Sequence, residues 1–151
     1  MKRPSSIISG LAGSLALTLI HEVLKRTVTD APRMDKLGEQ GLAKVLAASG
    51  AGMPSGDNLQ KMTFGGDIIG NAGYYSIVGI LPKYSLLTGT VIGLAAGIGA
   101  VGLPKKLGLN AQYSSATNKT KVLTVLMYLT GGVVAGAVHT MLERKRTIKN
   151  I

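Results

Sequence analysis

The stretch "VLTVLMYLTGGVVAGAVHTML", residues 122–142, decides the fold. It runs for 21 residues without a charged side chain. A helix rises about 1.5 Å per residue, so about 20 apolar residues cross a hydrocarbon core. The run does not alternate apolar and polar with period two, which argues against a strand. Inside a bilayer every backbone amide and carbonyl must find a partner within the protein, and a helix provides this locally.

Three further runs resemble it, at residues 7–24, 64–81 and 86–103. The run at 64–81 is the least apolar, because Asp67 and Asn71 lie in its first two turns. The second and third runs are joined only by "PKYS", 82–85, which allows a tight antiparallel hairpin. The longest link joins the first run to the second. Within it, Met34, Leu37, Leu42, Val45 and Leu46 recur at helical spacing, with Asp35, Lys36, Glu39, Gln40 and Lys44 on the other side. This pattern predicts an amphipathic helix over 32–49, too charged to span and suited to the membrane interface. A Gly-rich linker, 50–58, follows it. Its Gly50 and Gly52 are not a phosphate loop, since no GK[ST] follows. The expected fold is therefore a single all-α integral membrane domain over 1–151. It has four transmembrane helices, up-down-up-down, with an amphipathic interfacial helix between the first and second.

Composition agrees. Hydrophobic residues make up 46% of the 151, glycine contributes 21, and cysteine is absent. Without cysteine there is no disulfide, thiolate metal site or thiol nucleophile. The net charge of +10 would suggest nucleic acid in a soluble protein. Here Lys2-Arg3, Lys25-Arg26, Lys105-Lys106 and Arg144-Lys145-Arg146 flank the apolar runs, which suits anionic lipid headgroups instead. No small-residue cleavage site follows Leu24, so the first run reads as a retained helix. Lys and Arg number seven on the side of both termini and ten on the side of the long loops. That excess places the long loops in the cytoplasm of a multi-pass protein of the cell inner membrane.

Gly89, Gly93 and Gly97 are spaced by four, as are Gly132 and Gly136. Such spacing lines one helix face with glycine and lets two helices approach closely in lipid. Within a four-helix chain, these seams are expected to pack against each other.

The polar residues inside the runs are the candidate site. Antiparallel threading puts His21, Glu22, Asp67 and Asn71 in one layer, able to bind a cation or relay protons. A simpler reading competes. Glu22 is spaced to pair with Lys25 and Arg26 on its own helix, so "HEVLKR" marks where helix one leaves the hydrocarbon. Asp67 follows Gly65-Gly66 and is expected to cap the N-terminus of the second span. His139 and Glu143 form a second polar pair, four residues apart, at the opposite end. Two histidines on different helices raise the possibility of haem, but these lie at opposite depths, so neither cofactor nor metal is expected. No HExxH, Ser-His-Asp or Glu-x-x-His arrangement occurs, so an enzyme is not expected. Tyr84 suits the interface, and Tyr74 and Tyr75 suit the core. The expected function is that of a non-catalytic accessory or structural subunit, with other membrane subunits or a second copy as partners. The alternative is a small ion- or proton-coupled transporter or channel, in one form an antiparallel dimer.

Overall fold

A computed structural model describes residues 4–149. The chain is 83% helix, with no strand among the described residues. The elements are α1 (Pro4–Thr27), α2 (Met34–Ser49), α3 (Gly56–Tyr75), two 3-10 turns (Ser76–Gly79 and Pro82–Tyr84), α4 (Ser85–Gly102), the short α5 (Gln112–Ser115) and α6 (Asn118–Lys149). Three segments are long and apolar enough to cross a membrane: Pro4–Thr27, Pro82–Gly102 and Asn118–Ile148.

The distribution of side chains on α1 is inverted relative to a water-soluble helix. Ser6, Ser9, Gly10, Gly13, Ser14, Leu17 and His21 are buried, while Ile7, Ile8, Leu11, Leu15, Leu19 and Val23 are exposed. On α4 the buried residues are Ser85, Gly89, Gly93 and Gly97. Leu86, Leu87, Val91, Leu94 and Ile98 face outward. In water this arrangement forfeits the burial that drives folding. In hydrocarbon it is favourable, because small and weakly polar residues let helices touch and large apolar ones meet lipid.

α6 is the centre of the packing, and α4 runs antiparallel along it. A Cβ placed on Gly97 would stand 2.7 Å from Val125 Cα, and one on Gly93 2.8 Å from the Tyr128 carbonyl oxygen. Gly89 lies against Gly132 and Gly136. The two sets of glycines therefore face each other within one chain. α1 is also antiparallel to α6, with Gly13 against Gly131 and Ala135. α3 lies on the other side of α1, where Ser14 Oγ donates to the Ile68 carbonyl at 2.9 Å. Tyr75 fills the junction of α1, α3 and α6.

The second apolar run differs from the expectation. It is not one helix over 64–81. α3 begins at Gly56, inside the segment read as linker, and ends at Tyr75, where a 3-10 turn takes over. Asp57 favours a helix start here, since a carboxylate in the first turn suits the helix dipole. The link without helix shrinks to 51–55. Asp67 is consequently in the middle of α3 and caps nothing. α3 is also not among the three segments apolar enough to cross a membrane. The loop after α4 is shorter than expected, because α5 and the start of α6 occupy part of it.

α2 closes one end of the bundle, packed on α3 and α5. It starts at Met34 and stops at Gly50, whose φ of 73° belongs to the left-handed region that glycine adopts freely. Its polar side is engaged rather than free. Lys44 Nζ donates to the Leu107 carbonyl at 2.7 Å, and Gln40 Oε1 accepts from the Asn110 amide at 2.8 Å. Just before it, the Arg33 amide donates to the Tyr113 carbonyl at 2.7 Å. Thr120 Oγ1 donates to the Asp30 carbonyl at 2.9 Å. These bonds join the α1–α2 link, α2 and the α4–α6 loop into one polar cap.

Candidate functional site

Beneath that cap, α1, α2 and α3, with Met127 and Tyr128 of α6, line an open cavity of about 850 Å³. The last turns of α1 contribute His21, Glu22, Lys25 and Arg26, and α3 contributes Lys61, Thr63, Asp67 and Asn71. All four residues of the polar layer expected from the sequence thus line one space. α2 adds Asp35 and Glu39, from the charged side of its amphipathic pattern. Four of the chain's seven acidic residues line this cavity, in a protein of net charge +10.

Three of the four carboxylates are already paired. Glu22 accepts from Lys25 Nζ at 2.7 Å and lies 3.5 Å from Arg26. This is the intrahelical pairing that its spacing implies. Asp35 takes a two-pronged bond from Arg33, both contacts at 3.1 Å, and Lys25 Nζ stands 3.5 Å away. Burial pushes the Asp35 carboxyl up, but the bonds from Arg33 and the Lys36 amide outweigh it and hold the group below the usual aspartate range. Glu39 accepts from Lys36 at 3.0 Å.

Asp67 is different. Its side chain makes no hydrogen bond or ion pair among the described residues, and neither does that of Asn71. Thr63, Asp67 and Asn71 recur every four residues, so they share one face of α3. Gly38 of α2 stands opposite. A Cβ there would come within 2.7 Å of Thr63 Cγ2 and 3.2 Å of Asp67 Oδ2, so only glycine lets α2 lie this close. Thr63 Oγ1 and His21 Nε2, on residues that line the cavity, are buried without a hydrogen-bond partner and present almost no surface to it. His21 Nε2 is 3.9 Å from Asp35 Oδ1, too far for a hydrogen bond. Among the described residues, no group of three or more His, Cys, Asp or Glu side chains is placed to hold a metal ion.

The second polar pair is built into the opposite end. His139 is fully buried, with Nδ1 2.8 Å from Ser85 Oγ. That hydroxyl also reaches the Pro82 carbonyl at 2.8 Å. Glu143 accepts from Ser5 Oγ at 2.7 Å. These two residues tie α6 to the α3–α4 turn and to α1. Tyr74 and Tyr75 likewise donate to backbone carbonyls, of Ile92 at 2.9 Å and Tyr128 at 2.8 Å.

Compared with known proteins, the chain matches no family model, no curated protein and no solved structure.

Proposed function

We propose that this chain is a non-catalytic integral membrane protein that binds a small solute in the cavity between α1, α2 and α3. One observation carries the reading. Asp67 and Asn71 line that cavity with no hydrogen bond or ion pair among the described residues, Asp67 exposed and Asn71 half-buried, and a carboxylate at membrane depth marks a functional position by default. A cavity of about 850 Å³ is within the range that small-molecule sites occupy.

On this reading α3 and its 3-10 turn form a fourth span, completing an up-down-up-down bundle. α3 is less apolar than its neighbours because one of its faces meets the cavity rather than lipid. A solute held here can be carried across the inner membrane or presented to a partner subunit. The second use is favoured by α6. Its 32 residues extend about 48 Å, well beyond a core of about 30 Å. Its exposed Arg144, Lys145 and Arg146 would then reach anionic headgroups or a partner surface.

The absence of cysteine makes the test clean. Asn71→Cys and Ile69→Cys are introduced separately and treated in membranes with a charged maleimide supplied to both faces. Ile69 is 75% exposed on the outer side of α3 and would face lipid. Asn71→Cys is expected to react and Ile69→Cys to stay unmodified. Reaction of both would put α3 in water and remove the fourth span. Reaction of neither would mean a dry, closed space and remove the binding reading.

A further inference from the structure

We infer that the bundle holds an anionic phospholipid at the turn between α3 and α4, with its phosphate at Lys83 and one acyl chain in a groove along α4. This site is separate from the cavity and does not depend on the binding reading above. Leu81, Tyr84, Leu87, Thr88, Val91 and Ile92 line the groove, which has a volume of about 420 Å³. Only Thr88 and the tip of Tyr84 are polar. Tyr84, Leu87, Thr88 and Val91 follow one another at helical spacing, so they share one face at the start of α4. From Tyr84 to Ile92 that face extends about 12 Å into the bilayer, at about 1.5 Å per residue.

The groove is held in shape by the protein's own bonds. The Tyr84 amide donates to the Leu81 carbonyl at 2.8 Å, which sets the two residues at its outer end. Ser85 Oγ reaches the Pro82 carbonyl at 2.8 Å and the Val78 carbonyl at 3.1 Å, fixing the turn to the first residue of α4. Tyr74 donates to the Ile92 carbonyl at 2.9 Å and ties the inner end to α3. A preformed site of this kind leaves the ordering cost of binding mainly to the lipid chain.

Charge selects the headgroup. Between Asp67 and Glu143 the sequence has no acidic residue. Glu143 is therefore the one carboxylate at the turn end of the bundle, and it accepts from Ser5 Oγ. Lys83, Arg144, Lys145 and Arg146 lie at the same end and are exposed. Lys83 forms no ion pair among the described residues. Its Nζ stands 5.7 Å from the centroid of the Tyr84 ring, close enough for a cation–π contact. The ammonium is thereby held at the mouth of the groove, at the depth where an interfacial tyrosine meets headgroups. A lipid phosphate that carries no compensating ammonium is the partner this arrangement fits.

The chain has no tryptophan, so a single introduced one reports on its own surroundings. Ala95→Trp places it one turn beyond Val91 on the same exposed face, outside the groove lining. Leu15→Trp is the control, exposed on α1 at a comparable distance from the same end. Each variant of the full chain is reconstituted in phosphatidylcholine containing a small fraction of chain-brominated phosphatidylglycerol or chain-brominated phosphatidylcholine, and quenching is measured. Preference for phosphatidylglycerol is expected to be about fivefold greater at Ala95→Trp than at Leu15→Trp, the effect of one Lys near an anionic lipid. Lys83→Gln should remove that difference and leave Leu15→Trp unchanged. Equal preference at the two positions, or a difference that survives Lys83→Gln, would overturn the inference. Quenching by neither lipid at Ala95→Trp would also overturn it, since protein rather than lipid would then cover the groove.

Discussion

Tyr75→Ala should destabilise the protein by about 3–5 kcal/mol, the range for removing a large buried aromatic side chain. Tyr75 is completely buried and sits at the meeting of three helices. Its ring stands edge-on to Tyr74, with centroids 5.7 Å apart. Glycines on two neighbours make room for it. A Cβ on Gly131 of α6 would stand 2.7 Å from the Tyr75 hydroxyl, and one on Gly13 of α1 3.1 Å from the ring. The surrounding backbones are already in contact elsewhere, so they cannot collapse into the space the ring leaves. Tyr75→Phe separates packing from hydrogen bonding. It keeps the ring and loses only the bond to the Tyr128 carbonyl, so its cost should be about 0.5–1.5 kcal/mol. Equilibrium unfolding in mixed micelles, followed by circular dichroism, measures both. Equal losses would mean that the bond, not the ring, holds the junction.

Gly132→Ala should also destabilise the protein, although it adds only one methyl group. The new Cβ would meet the Gly89 carbonyl oxygen and stand 2.9 Å from Gly93 Cα and 3.0 Å from the Gly93 amide nitrogen. All of these are backbone atoms and none can rotate away, so α4 must move off α6. Overpacking of this kind costs about 1–3 kcal/mol. Gly70→Ala provides the contrast. Nothing lies within 4 Å of a Cβ there. Alanine is favoured over glycine in a helix interior by about 0.5–1 kcal/mol, so this variant should be neutral or more stable. The same unfolding assay ranks the two. A mild Gly132→Ala phenotype would mean that the α4–α6 seam is looser than the backbone spacing implies.

The parts of the fold that the sequence discloses are those that hydrocarbon selects. The runs at 7–24, 86–103 and 122–142 correspond to α1, α4 and α6, because length and lack of charge are what a bilayer requires. The glycine seams are legible for a related reason, since four-residue spacing puts Gly89, Gly93 and Gly97 on one face wherever the partner lies. The second run misleads because its composition serves two environments. α3 keeps Thr63, Asp67 and Asn71 on its cavity side, which lowers its apolarity and disguises both its start at Gly56 and its length. The polar layer of His21, Glu22, Asp67 and Asn71 follows from antiparallel threading alone. The contribution of α2 does not. Asp35 and Glu39 occupy the charged side of an amphipathic pattern, and nothing in the pattern says that this side turns toward α1 and α3. The bonds that hold it there, from Arg33 to Tyr113 and from Lys44 to Leu107, join residues far apart in sequence. The serines of α1, Ser6, Ser9 and Ser14, form an inner face with Gly10 and Gly13, a helical stripe of small residues.

The central claim is that the exposed apolar faces meet lipid while the polar faces turn inward. Spin labels attached at Leu15→Cys, Ile98→Cys and Leu126→Cys test it most directly. These positions are 55%, 58% and 50% exposed, one on each long apolar helix. Their collision rates with oxygen and with a water-soluble nickel chelate are compared by power saturation in reconstituted bilayers. High oxygen and low nickel accessibility is predicted at all three sites, whereas nickel accessibility matching that of a label in water would contradict it.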